Sequence, residues 1–183
     1  MKYTETSIPG VWIIEPEVFG DSRGYFFEAF KQQEFEHHVG PVQFVQENES
    51  RSTQGVLRGL HYQADPFPQA KLVRVILGAV LDVAVDLRPG SPTFAQHIAV
   101  ELSADNKQQL FIPRGFAHGF HVLSPEAVFT YKVDNLYSPA GERTLRYDDP
   151  AFRINWQIPD GQSPILSPKD QQAPRLGQEN LNK

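Results

Sequence analysis

Hydrophobic residues fall along this chain in short runs that alternate with polar ones and end at Pro, Gly, Asp or Ser. A period-two pattern with frequent turn residues predicts strands rather than helices. Val11-Trp12-Ile13-Ile14 is the first, stopped by Pro16. Gly20-Asp21-Ser22-Arg23-Gly24 is a turn leading into an aromatic strand, Tyr25–Phe30. Lys31–His38, closed by Gly40-Pro41, is the best helix candidate, and a short one. Val42–Glu47 is a strand followed by a polar loop, Ser50–Gly55. Further strands are predicted at Val56–Gln63, Lys71–Leu77, Val80–Leu87, Thr93–Leu102, Gln109–Ile112, Ala117–Leu123 and Val128–Val133. The turn Gly78-Ala79 predicts a hairpin between Lys71–Leu77 and Val80–Leu87, and Ser124-Pro125-Glu126 joins another pair. From Asn135 the chain is Pro-rich and irregular, with an apolar patch around Phe152, Ile154 and Trp156.

About ten short strands at intervals of roughly 8–12 residues indicate an all-β antiparallel sandwich or barrel. Among these, a cupin-like jelly roll with short peripheral helices is the first choice, because its tapered interior offers a cavity lined from both sheets. Length adds that residues 1–183 form one domain, irregular from about 135 to 183. Thirteen Phe and six Tyr supply large side chains for its interior. With 17 Lys+Arg against 22 Asp+Glu the net charge is −5, which argues against a nucleic-acid partner. The absence of Cys removes disulfides, thiolate nucleophiles and thiolate metal sites. Met1-Lys2-Tyr3-Thr4-Glu5 lacks the apolar core of a signal peptide, and no apolar run approaches the roughly 20 residues that cross a bilayer. A cytoplasmic protein with no membrane partner is expected.

Polar groups set among apolar strand residues are costly to keep and mark where to look for function. His61 and Arg58 share one predicted strand, and Lys71 opens the next. Strict alternation puts Arg58, Leu60 and Tyr62 on one face and Leu57, Gly59 and His61 on the other, separating Arg58 from His61 unless Gly59 marks a bulge. A lone His is more often a structural hydrogen-bonding residue, but Asp82 and Asp86 alternate on the strand after Lys71. An imidazole held by a carboxylate is a competent general base. Lys71 is either a strand-edge gatekeeper or a cation for a developing enolate. Tyr131, mid-strand, is a core residue or, if it faces the cavity opposite His61, a proton donor.

A cupin-type metal site needs a His-x-His pair, and here that place reads His61-Tyr62-Gln63, without the second His. Metal-free acid–base chemistry is therefore preferred. Gln46 and Asn48 alternate on one strand face, suited to a nucleobase or sugar. Arg23 and Glu28 otherwise read as a turn ion pair and a solvated strand face. No Gly-rich phosphate loop is present, so any phosphate is held by Arg and Lys side chains.

Together these segments resemble the dTDP-4-dehydrorhamnose 3,5-epimerase family over nearly the whole chain. The resemblance runs through Val18–Phe26, Gly55–His61, Lys71–Arg74, Asp82–Arg88, Ile112–Phe120 and Leu166–Asp170. It implies a cupin-like jelly roll, a homodimer with exchanged N-terminal strands, and no metal or other cofactor. It also implies a dTDP-sugar substrate, dTDP-4-dehydro-6-deoxy-D-glucose, epimerised at carbons 3 and 5 for dTDP-L-rhamnose biosynthesis. By matching position, His61 is the implied base with Asp170 as its partner, Lys71 the enolate stabiliser and Tyr131 the acid. Arg23, Glu28, Gln46, Asn48, Arg58, His118, Glu142 and Lys169 match the substrate-binding set, with Arg23 and Glu28 the candidates for donation by a neighbouring subunit. Ala79-Val80-Leu81, Phe94–His97 and Glu142–Tyr147 depart from the family pattern, away from the acid–base set. Two other readings are an epimerase that inverts only carbon 3 or carbon 5, and a non-catalytic sugar-nucleotide-binding cupin.

Overall fold

In the computed structural model, which describes residues 1–178, the alternating pattern resolves into two facing antiparallel sheets and a small hairpin. In chain order the elements begin with β1 (Lys2–Glu5), β2 (Trp12–Glu15), β3 (Phe19–Asp21), β4 (Gly24–Phe26), α1 (Gln32–His38) and β5 (Gln46–Thr53). Next come β6 (Leu57–Gln63), β7 (Lys71–Leu77), β8 (Ala79–Asp86), β9 (His97–Ser103) and β10 (Gln109–Ile112). The series ends with β11 (Phe116–Val122), β12 (Glu126–Val133), β13 (Glu142–Thr144) and α2 (Pro168–Gln171). One sheet has the order β1-β2-β10-β7-β12-β5, the other β13-β6-β11-β8-β9, and β3 and β4 form a two-stranded third. The fold is a cupin-like all-β sandwich.

The two turns predicted to close hairpins do not. β7 and β8 lie in opposite sheets, as do β11 and β12. Gly78, at φ +75°, is the single residue between β7 and β8, and a Cβ there would overlap the Glu126 carbonyl. So tight a junction turns a corner between sheets instead of reversing the chain within one. The chain changes sheet at every step from β5 to β8 and again from β9 to β13. Only β8 and β9, joined through the turn after Asp86, are consecutive and paired in this region.

Ser50–Gly55 also differs from expectation, because Ser50–Thr53 belongs to β5 and pairs along the edge of β12. Its inward residues, Gln46, Asn48, Ser50 and Ser52, are polar, which hid the strand from a hydrophobic reading. Tyr25–Phe30 is strand only to Phe26. β1, β3, β13 and α2 had no counterpart in the predicted elements, Gly20 and Asp21 of β3 having been read as turn; the last two lie in the stretch from 135, whose residues 179–183 are outside the described ones.

Three apolar layers hold this arrangement. Val73, Val75, Val80, Ala84, Phe120 and Phe129 meet between the sheets. Leu57, Leu60, Leu81, Val83 and Val85 face the other way, under Leu145, Phe152 and Trp156 of the C-terminal segment. Ile14, Leu72 and Phe111 are covered by Phe35 of α1 with Phe30 and Phe44. Each fully buried large side chain contributes about 1.5–3 kcal/mol. The cover on both faces explains why β8 is buried along nearly its whole length.

Candidate active site

The inner face of the sandwich is apolar at one end and polar at the other. Register pairs Tyr131 with Asn48 and Val73, and Val133 with Gln46 and Lys71, so these side chains share the inward face of the six-stranded sheet. Across the gap, His118 is opposite His61 and Phe120 is opposite Arg58. Between those two pairs the register slips, with Gly59 and Leu60 of β6 set against Gly119 alone. The extra residue turns Arg58 and His61 to the same inward face and sends Leu57 and Leu60 outward, correcting the separation that strict alternation predicts. Gly59 has φ +131°, and a Cβ there would lie 2.6 Å from Gly119 Cα, so the two strands approach this closely only through paired glycines.

A cavity of about 310 Å³ opens between the walls, lined by Gln46, Asn48, Lys71 and Tyr131 on one side and by His61 and Glu142 on the other. Tyr62, Gln63, Gln69 and Tyr137 complete its rim. Gln63 continues the inward alternation from His61 and was legible on that ground, whereas Tyr137 sits in a stretch with no period to place it.

His61 Nε2 lies 2.6 Å from Asp170 Oδ1, and Asp170 is buried. This overturns Asp82 and Asp86 as partners of His61. Asp82 instead meets His118, at 2.8 Å, and Asp86 is consumed by Arg88, Ser91 and Thr93 in the following turn. Asp170 is delivered by α2, whose N-cap Ser167 accepts from the Asp170 amide and donates its hydroxyl to Asp170 Oδ2 at 2.8 Å. Burial works to raise the Asp170 carboxyl, but the bond and charge of His61 and the Ser167 bond outweigh it and hold the group below its ordinary value. A carboxylate accepts at Nε2–H, so the imidazole lone pair is left at Nδ1.

Burial pushes the Lys71 ammonium down to about 8, against the opposing charge of Asp82. Its Nζ stands 6.0 Å from the centre of the Tyr131 ring. Burial raises the Tyr131 phenol, partly offset by a bond from Asn48 and the charge of Arg58. Gln46 Nε2 donates to Asn48 Oδ1 at 2.8 Å, which turns the Asn48 amide NH2 toward the phenol oxygen. The phenol hydrogen is thus free to point into the cavity.

The remaining candidates divide. Lys169 bonds Glu142 at 2.5 Å, at the edge of the site, and Arg58 Nε donates to Ser52 Oγ at 3.1 Å. His118 lies deeper, stacked on Phe129. Arg23 and Glu28 are not brought to the cavity within this chain: both are exposed, and Arg23 pairs with Asp21 at 2.5 Å in the outlying hairpin. Among the described residues no three His, Asp or Glu side chains converge as a metal cage. Such a cavity can remove a proton from one side of a small anion, hold charge on its oxygen and return a proton from the other side.

Known proteins resemble this chain over nearly its whole length. The family model described as dTDP-4-dehydrorhamnose 3,5-epimerase matches residues 5–178. The dTDP-4-dehydrorhamnose 3,5-epimerase of Shigella flexneri is 56% identical over 171 residues, covering 93% of each chain. A crystal structure of dTDP-4-dehydrorhamnose 3,5-epimerase from Elizabethkingia anophelis matches with a TM-score of 0.93 at 50% identity, over 98% of each chain. The epimerase of Legionella pneumophila, solved in complex with dTDP-4-keto-L-rhamnose, matches with a TM-score of 0.92 at 49% identity, over 96% of this chain and 93% of that one.

Proposed function

The chain belongs to the dTDP-4-dehydrorhamnose 3,5-epimerase family, and on that premise we propose that it epimerises dTDP-4-dehydro-6-deoxy-D-glucose at carbons 3 and 5, giving dTDP-4-dehydro-L-rhamnose. The observation that carries the reading is the His61 imidazole facing the Tyr131 phenol across one cavity, with the Lys71 ammonium on the phenol's wall.

The keto group at carbon 4 acidifies the hydrogens on carbons 3 and 5. His61 Nδ1 takes the proton, and the C–H electron pair moves into an enolate whose negative charge comes to rest on the carbon 4 oxygen. Asp170 fixes the tautomer and stabilises the imidazolium. Lys71 stabilises the enolate oxygen, an effect typically worth about 3–4 kcal/mol of barrier in such sites. The Tyr131 hydroxyl then delivers a proton to the opposite face of the carbon, inverting it, and solvent restores both groups. No oxidant, metal or other cofactor enters this balance.

Arg58, His118, Gln46, Asn48, Glu142 and Lys169 are assigned to the nucleotide and sugar, and the half-exposed ring of Tyr137 offers a flat face to the pyrimidine. Remote contacts of this kind supply binding energy that orients the reacting sugar. Arg23 and Glu28 are assigned to the neighbouring subunit's site in a homodimer that exchanges its N-terminal strands. Supporting this, Phe19, Tyr25 and Phe26 are 56%, 64% and 66% exposed on a hairpin that pairs with no other strand among the described residues, an apolar patch that needs cover. The enzyme is assigned to the cytoplasm; no helix among the described residues is long and apolar enough to cross a membrane.

The test is incubation with the 4-keto substrate in deuterated water. Label at both carbons with formation of the L-sugar is expected. Label at one carbon identifies a single-carbon epimerase, and binding without label identifies a non-catalytic cupin.

A further inference from the structure

Beyond the groups assigned above lies Asp82. It is fully buried on β8, opposite Phe120, and so on the inward face. Its Oδ2 is 2.8 Å from His118 Nε2, while Oδ1 is enclosed and has no hydrogen-bond partner among the described residues. A buried carboxylate with a bare oxygen is costly unless a positive charge stands in its field. His118 does not provide that charge. Burial drives its imidazole down, and although Asp82 opposes this, the charges of Lys71 and His61 press the same way as burial, leaving His118 a neutral donor. Lys71 lines the cavity from β7 in the facing sheet, inward like Asp82 but not in direct contact with it, and its ammonium is held up by the Asp82 charge across the gap.

We propose that Asp82 is a positioning residue for the epimerisation proposed above, countering the cost of burying the Lys71 ammonium so that it stays charged and aimed at the carbon 4 oxygen. The inference rests on that reading of the site. Asp82 does not line the cavity and touches no reacting atom. The ionisable groups from the surrounding elements are His61 and Arg58 of β6, His118 of β11, Tyr131 of β12, Glu142 of β13 and Asp170 of α2. Asp170 is committed to His61 and Glu142 to Lys169, so Asp82 is the carboxylate left for Lys71.

The experiment compares wild type, Asp82→Asn and Asp82→Glu by two readouts: the pH profile of deuterium exchange into the 4-keto sugar, and the titration of Lys71 followed by 13C NMR of ε-labelled lysine, with Lys71→Arg to assign the signal. In Asp82→Asn the alkaline limb and the Lys71 titration should both move about one unit or more toward acid, with KM largely unchanged. Asp82→Glu should restore the limb. A rate that falls by one factor at every pH, with the Lys71 titration unmoved, overturns the proposal. If Asp82→Asn does not fold, the wild-type titration decides: a Lys71 still charged at pH 7 is required, and one already neutral there refutes the pairing. A wild-type protein that exchanges neither carbon defeats the epimerase reading, while the NMR titrations still judge Asp82 against Lys71.

Discussion

Replacing Asp170 by Asn tests the proposed base with little change of shape. In the native site Asp170 Oδ1 accepts from His61 Nε2 at 2.6 Å while Oδ2 accepts from the Ser167 hydroxyl at 2.8 Å. An amide satisfies both neighbours in one orientation: its oxygen accepts from Ser167 and its NH2 donates to His61 Nε2. That arrangement moves the imidazole hydrogen to Nδ1, so the nitrogen facing the substrate has no lone pair, and the imidazolium loses its buried counter-charge. By analogy with tautomer inversion in hydrolytic triads, exchange should fall by about 10³–10⁴-fold, or about 4–5.5 kcal/mol of barrier. Stability should change by no more than about 2 kcal/mol, because a charge-assisted bond is lost but a neutral one replaces it. The assay is stopped-flow or NMR detection of deuterium uptake at carbons 3 and 5, with urea unfolding and dTDP binding as controls. Exchange within a few-fold of wild type in a folded, nucleotide-binding Asp170→Asn protein would refute the assignment of His61 Nδ1 as base.

Turnover of the wild type should decline as pH rises through about 8, because the Lys71 ammonium proposed to hold the enolate charge is present below that value and lost above it; a flat rate to pH 9.5 would exclude that role. Tyr131→Phe should retain proton abstraction by His61 but return protons to the same face, so label should enter faster than inverted product appears, with product formation down by about 10²–10⁴-fold; inversion at the native rate counts against the phenol. Gly59→Ala forces a Cβ to 2.6 Å from Gly119 Cα and 3.0 Å from the His118 carbonyl at φ +131°, which should cost about 3 kcal/mol or more in urea unfolding. Dialysis against EDTA should leave exchange unaltered, and a loss restored by Fe²⁺ or Zn²⁺ would overturn the cofactor-free mechanism.

Most strands were legible because apolar alternation and turn residues mark them wherever one side faces the core. β5 was only half visible, since its inward residues carry amides and hydroxyls in place of apolar groups, and two of them, Gln46 and Asn48, line the cavity. Sheet membership was not legible at all. A Gly or Pro between two strands shows that the chain turns, but the sheet that the next strand joins depends on the space left by strands far away in sequence. Gly78 is such a case, since its corner is fixed by Glu126 and Ser124 of another connection. The bulge at Gly59 was flagged by the glycine itself, yet its consequence, Arg58 and His61 on one face, needed the register against β11. Asp170 lies 109 residues from His61 in a segment with no period; pattern reading offered only the nearer Asp82 and Asp86, and resemblance alone pointed to the partner found.

The sheet changes that defeated the hairpin reading also suit the proposed chemistry. Inversion at a carbon needs base and acid on opposite faces of the substrate, held by elements that cannot slide relative to each other. A hairpin puts neighbouring strands side by side, so groups from both would approach the sugar from one side. Because β6 and β7 are consecutive yet lie in opposite sheets, His61 and Lys71, ten positions apart in number, stand on facing walls. The same crossing between β11 and β12 sets His118 opposite Tyr131. The apolar residues of the two sheets, including Val73, Val80 and Phe129, interlock beneath the cavity and hold its width. A second wall carrying its own polar groups is therefore a direct product of the jelly-roll crossings.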